Sequence, residues 1–277
     1  MKEYKNFIGL GVAGNFALHL EQAGESADFK DILTEDPNGP KGIFPFYIPE
    51  REGQLGIYPI SADTITLPNE ECNVQPEPEV ALICDLDYDG EGNVTAITPK
   101  FFGAYNDCSL RIEGAGKISQ KKNWGASSKG LSSTLIPIDT FDKGGLMDTY
   151  RIASFLRRDG MLMRYGEDVE LPGYSFFYGK LLEWMKNQIN SQADFGPLEP
   201  ISGYLKEAGN PKNAIISIGA TRYTRFGEKN FLQEGDEVIV VVYDNARYCT
   251  NPILSMANRN AFEAEGISAL VQKVIRA

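Results

Sequence analysis

The sequence has few of the residues on which thiol and imidazole chemistry depend. Four cysteines, Cys72, Cys84, Cys108 and Cys249, are scattered through 277 residues without a Cys-x-x-Cys pair. This spacing indicates neither a zinc cluster nor a disulfide framework, so we expect a reduced, cytoplasmic protein. His19 is the single histidine of the sequence, which restricts catalysis by imidazole to one position.

Positive charge and long apolar runs are also scarce. The chain has 27 Lys and Arg against 38 Asp and Glu, a net charge of −11. This excess of negative charge argues against nucleic acid or an anionic membrane as partner. No apolar run approaches the length of a spanning helix, and the first six residues lack the apolar region of a signal peptide.

Apolar residues are abundant enough for a large core. They make up 42% of the chain, and most occur in short runs bounded by Gly, Pro, Asn or Asp. Such runs predict strands. Residues 152–156 and 161–165 flank Asp159 and Gly160 and predict a β-hairpin, while residues 237–243 predict a buried strand. We therefore expect an α+β fold that is predominantly β.

Helices are predicted mainly in the second half of the chain. Apolar residues recur every four positions at Phe177, Leu181, Met185 and Ile189, which is the spacing of one buried helix face. We also predict a terminal helix at residues 257–276. The pattern indicates core packing by the first of these helices and no cofactor site.

The composition changes near residue 70. Residues 32–70 are rich in Pro, Gly and acidic residues, with one apolar island at 43–48. This composition predicts a small N-terminal lid subdomain and linker over residues 1–70. The main domain is then predicted over residues 71–277.

An early glycine motif suggests a nucleotide site and fails a simple test. Gly9, Gly11 and Gly14 fit Gly-x-Gly-x-x-Gly. A dinucleotide site would also need a second strand that ends in an acid for the ribose. Residues 24–31 are polar and contain no such strand, so an oxidoreductase is not favoured; a cofactor in the purified protein would revive it.

Three acids bracket an apolar run. Glu77 and Glu79 lie immediately before residues 80–84, and Asp107 follows within residues 105–111. Side chains two apart on a strand share a face, so two ionised glutamates about 6.6 Å apart repel by roughly 2.5 kcal/mol at a dielectric near 20. A divalent cation would relieve this repulsion, and three oxygen ligands suit Mg²⁺ or Mn²⁺. The alternative is a solvated strand face.

The segment 105–111 also contains a positively charged residue, Arg111, close in sequence to Asp107. If it is extended, Tyr105, Asp107 and Arg111 share one face. A guanidinium there can hold a substrate carboxylate through two parallel hydrogen bonds. An ordinary ion pair between Arg111 and one of the acids is the alternative.

These motifs together resemble the fumarylacetoacetate hydrolase family. Pro-Glu-Pro-Glu-Val-Ala-Leu at 76–82, Tyr-Asn-Asp-Cys-Ser-Leu-Arg at 105–111, and then Trp124 and Lys129 follow in that family's order. Gly-Asn-Phe-Ala-Leu-His at 14–19 is similar to the family segment at the edge of the active-site lid. The resemblance implies a mixed β-sandwich roll with a small N-terminal lid, assembled as a homodimer.

The resemblance also implies roles for individual residues. It makes Glu77, Glu79 and Asp107 the ligands of Mg²⁺ (or Mn²⁺). His19 would activate water, and Lys129 would supply positive charge near the oxyanion. Residues implied to contact the substrate are Arg111, Tyr105, Gly219 and Thr221.

The implied activity is hydrolysis of a C–C bond in an acylpyruvate-like 2,4-diketo acid, through an enolate that the metal stabilises. Two departures from the family leave alternatives open. Gln22 stands where the family has a glutamate that pairs with His19, and the pocket loop at 218–221 reads Ile-Gly-Ala-Thr. The alternatives are a 2-keto acid decarboxylase, hydratase or isomerase on the same metal site, or an inert module that binds metal and keto acid.

Overall fold

The computed structural model of the chain describes residues 4–32, 34 and 36–276. The strands are β1 (Ile8–Ala13), β2 (Gly42–Tyr47), β3 (Ile60–Ser61), β4 (Thr64–Leu67), β5 (Asn73–Gln75), β6 (Pro78–Tyr88), β7 (Val94–Asn106), β8 (Ser109–Arg111), β9 (Lys129–Leu131), β10 (Ile136–Pro137), β11 (Tyr150–Arg158), β12 (Met161–Glu170), β13 (Asn213–Ser217), β14 (Glu237–Asp244) and β15 (Ile267–Arg276). The α-helices are α1 (His19–Gln22), α2 (Ser119–Lys122), α3 (Tyr178–Ser191), α4 (Ile201–Glu207), α5 (Arg225–Lys229) and α6 (Thr250–Arg259). Short 3₁₀ helices cover Ser26–Phe29, Gln54–Gly56, Leu146–Thr149 and Leu171–Gly173.

The strands form two mixed sheets and a short ribbon. The large sheet has the order β2-β1-β13-β6-β7-β9-β3, with β10 also paired to β7. The small sheet has the order β12-β11-β14-β15-β4, and β5 pairs with β8. Most pairs are antiparallel, while three pairs run parallel: β1 with β13, β15 with β4, and β3 with β9. The predicted α+β, predominantly β fold class is confirmed.

The main apolar core includes residues of both sheets. Leu82 of β6, Val240 of β14 and Leu270 of β15 are all buried in it. The predicted helix is confirmed as α3, which buries Leu181 and Met185 in the same core. The core therefore packs against one face of β6, the strand that contains Glu79 and directly follows Glu77.

The early glycines serve packing between strands. A Cβ atom on Gly9 would lie 2.2 Å from the ring of Phe46, and one on Gly11 would lie 2.2 Å from the ring of Phe44. These rings belong to β2, which pairs with β1. The glycines therefore let β2 place aromatic rings flat against β1, and both lie within the strand rather than in a phosphate-binding turn.

The hairpin prediction is confirmed, and the terminal helix prediction is wrong. Strands β11 and β12 meet at Asp159 and Gly160, which both have positive φ angles of 51° and 77°. At the end of the chain α6 stops at Arg259, and β15 then pairs with β14 and β4. Residues 267–276 include β-branched residues, and burial alternates along much of the segment, as in a strand. Hydrogen bonds to a strand on each side stabilise this extended conformation.

Strands from both sides of residue 70 share the same sheets. Strands β1, β2 and β3 belong to the large sheet, and β4 lies at the edge of the small one. Residues 14–32 lie outside the sheets and carry α1 and the first 3₁₀ helix. Within the described residues, no helix combines the length and apolar character needed to span a membrane.

Candidate active site

Strand pairing brings the three predicted acids together. In the antiparallel pair β6–β7, Pro78 lies opposite Asn106. The pairing continues one residue further, because the N–H of Asp107 donates to the carbonyl of Glu77 at 3.0 Å. Glu77, Glu79 and Asp107 each present a carboxylate oxygen, and these oxygens lie within 4.8 Å of one another. All three residues are at most 3% exposed, so they do not form a solvated strand face.

Lys122, the last residue of α2, reaches between two of these acids. Its Nζ lies 2.6 Å from Glu77 Oε2 and 2.6 Å from Asp107 Oδ2. At that distance a unit charge pair attracts by roughly 6 kcal/mol at a dielectric near 20. Burial favours the neutral amine, but Asp107 and Glu77 outweigh it and raise the pKa of Lys122. The ammonium therefore stays charged inside the protein.

Lys129 approaches Asp107 from another side. Its Nζ lies 3.3 Å from Asp107 Oδ1 and donates a hydrogen bond to the carbonyl of Cys108. The ammonium also lies 5.5 Å from the centre of the Trp124 ring, a cation–π contact. Complete burial lowers the pKa of Lys129 in spite of the nearby acid. Lys129 is thus better able than an exposed lysine to lose a proton.

Arg111 is committed to protein acceptors. Its Nη2 donates to Glu77 Oε1 at 2.8 Å, and its Nη1 donates to Glu25 Oε1 at 2.8 Å. Nε donates to Gln75 Oε1 at 2.7 Å, and Nη2 also contacts the hydroxyl of Tyr223 at 3.1 Å. In this structure Arg111 forms the ion pair that the sequence allowed as the alternative to substrate binding. It holds Glu77 in place.

Glu79 and Asp107 accept fewer hydrogen bonds than Glu77 does. Glu79 Oε2 accepts one hydrogen bond, from the N–H of Gly219 at 2.9 Å. Burial, reinforced by the charge of Asp107, raises the pKa of Glu79 well above its usual value. Neither oxygen of Asp107 accepts a well-directed hydrogen bond, although Lys122 and Lys129 place charge nearby. Burial raises the pKa of Asp107 as well, against the opposing charge of Lys122.

This arrangement fits a divalent cation. Buried polar atoms nearly always form hydrogen bonds in proteins, whereas the two oxygens of Asp107 have ammonium groups nearby but accept no well-directed hydrogen bond. They therefore keep lone pairs for a ligand. The donor set consists of carboxylate oxygens from Glu77, Glu79 and Asp107, which is the set that Mg²⁺ and Mn²⁺ prefer. The buried acids therefore constitute a candidate metal site.

His19 faces the acids in a defined tautomer. Its Nδ1 lies 3.0 Å from the carbonyl oxygen of Thr221. A carbonyl can only accept, so Nδ1 carries the proton and Nε2 keeps a free lone pair. Burial lowers the pKa of His19, which favours this neutral form. The side-chain amide of Gln22 forms its hydrogen bonds with the backbone N–H and carbonyl of Tyr223. A backbone carbonyl thus orients the imidazole.

The space between these groups is small. A cavity of about 20 Å³ is lined by His19, Glu25, Phe29 and Lys122, together with the three acids. This volume admits about one water or ion. A small-molecule site usually provides roughly 300 Å³ or more. The cavity therefore has room for an ion but none for a keto acid.

The other predicted residues lie around this centre. Gly219 and Thr221 act through their backbones, on Glu79 and His19 respectively. Tyr105 is fully buried, its hydroxyl has no hydrogen-bond partner, and it does not line the cavity.

Two members of the charge cluster were missed in the sequence. Lys122 follows Lys121 in a four-residue helix, and paired lysines usually indicate a solvated surface. Glu25 belongs to none of the sequence motifs, and in the structure it binds Arg111. The sequence offers one indication that Lys122 lies near the site: it is located between Arg111 and Trp124, two residues of the family motifs.

Comparisons with known proteins agree with this fold. A family described as a family of unknown function, DUF5718, matches residues 25–274. No curated protein matches the sequence significantly. A 2-keto-3-deoxyarabinonate dehydratase has a TM-score of 0.55 at 14% identity, covering 98% of this chain and 73% of that chain. A 5-carboxymethyl-2-hydroxymuconate delta-isomerase from Mycobacterium smegmatis has a TM-score of 0.53 at 17% identity, covering 98% and 79%. The predicted fumarylacetoacetate hydrolase-like fold is confirmed.

Proposed function

We propose that this chain, which belongs to the DUF5718 family and has a fumarylacetoacetate hydrolase-like fold, is a metal-dependent enzyme acting on a small 2-keto acid. The observation that carries the proposal is the buried convergence of Glu77, Glu79 and Asp107. Buried charges contribute little to stability compared with apolar residues of the same size, so their presence favours a chemical role. The names of the two fold relatives, a keto-acid dehydratase and a muconate isomerase, also support keto-acid chemistry.

Glu77, Glu79 and Asp107 are the residues that would hold Mg²⁺ or Mn²⁺. When bound, the cation supplies Lewis-acid charge that stabilises an enolate. Arg111 keeps the Glu77 carboxylate turned toward the other two acids, because its guanidinium holds Oε1 at 2.8 Å. Lys129 adds positive charge beside Asp107.

The reaction that we favour is hydrolysis of a C–C bond in an acylpyruvate-like 2,4-diketo acid. His19 Nε2 takes a proton from the water that attacks the distal carbonyl. The C–C bond breaks, and its electron pair passes to the carbon on the pyruvate side. That carbon recovers the proton from His19, giving pyruvate and a carboxylic acid. The free lone pair on Nε2, left by the contact between Nδ1 and Thr221, supports this role.

Decarboxylation, hydration or isomerisation of a 2-keto acid on the same site is the alternative, since these reactions need the enolate without a strong base. A second candidate is an inert module that binds metal and keto acid. Gln22 in place of the family glutamate, and the altered loop at 218–221, favour it. The cavity of about 20 Å³ is too small for a keto acid under either candidate. We also propose that the protein is cytoplasmic, as its scattered cysteines indicate, and that it is a homodimer, as the resemblance implies.

A panel of acylpyruvates and oxaloacetate, assayed with added Mg²⁺ or Mn²⁺, tests the proposal. We expect turnover of at least one member, loss of that turnover with a chelator, and loss of metal binding in Asp107→Asn. Metal binding without turnover of any member would establish the inert module instead. If the chain neither turns over any member of the panel nor binds the metal, the proposed function is overturned. A crystal structure with Mg²⁺ and oxalate, a mimic of the pyruvate enolate, would identify the coordinating atoms.

A further inference from the structure

We propose that the Lys122 ammonium is a tethered cation that competes with the divalent metal for Glu77 and Asp107. This inference rests on the proposed function, since it concerns the same metal site. It assigns to Lys122 a role that none of the resemblances suggested: control of how tightly the acids hold their ion.

The positions of the atoms bring the two cations into conflict. Lys122 Nζ lies 2.6 Å from one oxygen of Glu77 and 2.6 Å from one oxygen of Asp107. Mg²⁺ binds carboxylate oxygens at about 2.1 Å. An ion on the same two oxygens would therefore lie within about 5 Å of Nζ. The cavity has space for about one water-sized group, so little solvent would screen the repulsion.

Lys122 is held in this position by its surroundings. It is buried, and its Nζ lies 5.2 Å from the centre of the Phe44 ring. The next residue, Asn123, donates its side-chain amide to the carbonyls of Phe46 at 2.8 Å and Ile57 at 3.0 Å. These bonds fix the chain directly after Lys122. The ammonium thus points at the acids from an anchored backbone.

Two consequences follow for the protein. Without metal, the acids already have a positive partner in Lys122, so the chain can fold before it binds an ion. With metal, Lys122 must withdraw, so the native chain binds the ion more weakly than the three carboxylates alone would. Removing the ammonium should uncover a tighter site.

Lys121 provides a matched control. It is the neighbouring residue on α2, and its Nζ contacts Asp28 and lies 3.6 Å from Glu25. It contacts none of the three acids. Lys121→Met and Lys122→Met therefore remove the same charge from the same helix, and only the second empties the space between Glu77 and Asp107.

The test is a calorimetric titration of the chelator-treated full chain with MnCl₂. We expect Lys122→Met to bind Mn²⁺ at least tenfold more tightly than the native chain, and Lys121→Met to stay within twofold. We also expect Mn²⁺ to raise the melting temperature of Lys122→Met more than that of the native chain, because the ion replaces a lost partner.

Each result bears on a different proposal. Equal or weaker Mn²⁺ binding by Lys122→Met, with clear binding by the native chain, overturns the competition and leaves the proposed function standing. A tenfold gain supports the competition even where no substrate turns over. Absence of Mn²⁺ binding in all three proteins overturns both. If Lys122→Met folds only with metal, it is purified in Mn²⁺ and the loss of the ion to EDTA is timed. Loss tenfold slower than from the native chain supports the competition, and equal or faster loss overturns it.

Discussion

Asp168 in β12 of the small sheet and Asp107, which directly follows β7 of the large sheet, are both largely buried aspartates with a cation nearby, and their hydrogen bonds differ. In the small sheet, Asp168 accepts hydrogen bonds from Arg151 Nε at 2.8 Å, from the Tyr243 hydroxyl at 2.8 and 3.0 Å, and from the Thr250 hydroxyl at 3.1 Å. Beside the large sheet, neither oxygen of Asp107 accepts a well-directed hydrogen bond. The fold can therefore satisfy a buried carboxylate with neutral hydroxyls, and at Asp107 it does not.

This difference separates a structural network from the proposed metal site. A fully bonded carboxylate has no remaining need for a cation, so Asp168 holds β11, β14 and α6 together. Closely spaced buried carboxylates without such a set of hydrogen bonds are costly, which is one reason why we propose a chemical role for them. The following predictions test this distinction.

The largest loss of folding stability is expected from Arg111→Met. The change leaves Glu77 and Glu25 buried without their shared guanidinium, and breaking a buried ion pair costs about 3–5 kcal/mol. Arg151→Met should cost only about 1–2 kcal/mol, since its side chain is 21% exposed and Asp168 keeps two hydroxyl donors. Urea denaturation measures both free energies of unfolding. Equal losses would contradict the distinction between the two clusters.

Glu79→Gln should separate stability from activity. We expect turnover of the identified substrate to fall at least about 100-fold, because a ligand charge is lost. Stability at pH 7 should stay level or rise by about 0.5–2 kcal/mol, since a buried neutral amide avoids the cost of burying a charge. Asp168→Asn is the matched control and should behave in the opposite way, with lower stability and unchanged turnover. Retained turnover in Glu79→Gln would remove Glu79 from the site.

A smaller effect is expected from Tyr243→Phe in the small sheet. The variant deletes one donor to Asp168 while Arg151 and Thr250 remain, so about 1 kcal/mol of stability should be lost. Metal binding and turnover should match those of the native chain. Thermal unfolding and the Mn²⁺ titration check the two halves of this prediction. A change in metal affinity would show that the clusters are coupled through β14.

The smallest effect concerns pH. His19 has a lowered pKa, so the folded chain keeps it neutral at pH values where an unfolded chain would protonate it. Its contribution to stability is therefore complete above about pH 6.5 and is lost as the pH falls below that value. Activity that depends on the Nε2 lone pair should likewise decline only below pH 6.5. Since His19 is the single histidine of the sequence, its imidazole signals in an NMR titration are unambiguous. A midpoint at or above 6.5 would contradict the prediction.

How far the site could be predicted depends on how local its determinants are. The convergence of Glu77 and Asp107 follows from strand alternation and one antiparallel pair, and both can be read from nearby residues. The position of the Lys122 ammonium depends on how a four-residue helix packs against distant parts of the chain, and no sequence periodicity predicts that packing. The partner of His19 could not be read from the sequence for the same reason, because the carbonyl of Thr221 lies 202 residues away in the chain.

The sequence by itself determined the fold class, the α3 helix, the β11–β12 hairpin and the acidic strand ends, because alternation, helical spacing and turn residues act over a few positions. Only the tertiary structure decided that residues 267–276 are a strand, since hydrogen bonds to β14 and β4 override local preference. It also decided which charges meet. Burial strengthens charge interactions and strips away solvent, so the properties of Lys122, Glu79 and His19 arise from neighbours that the chain brings together only on folding.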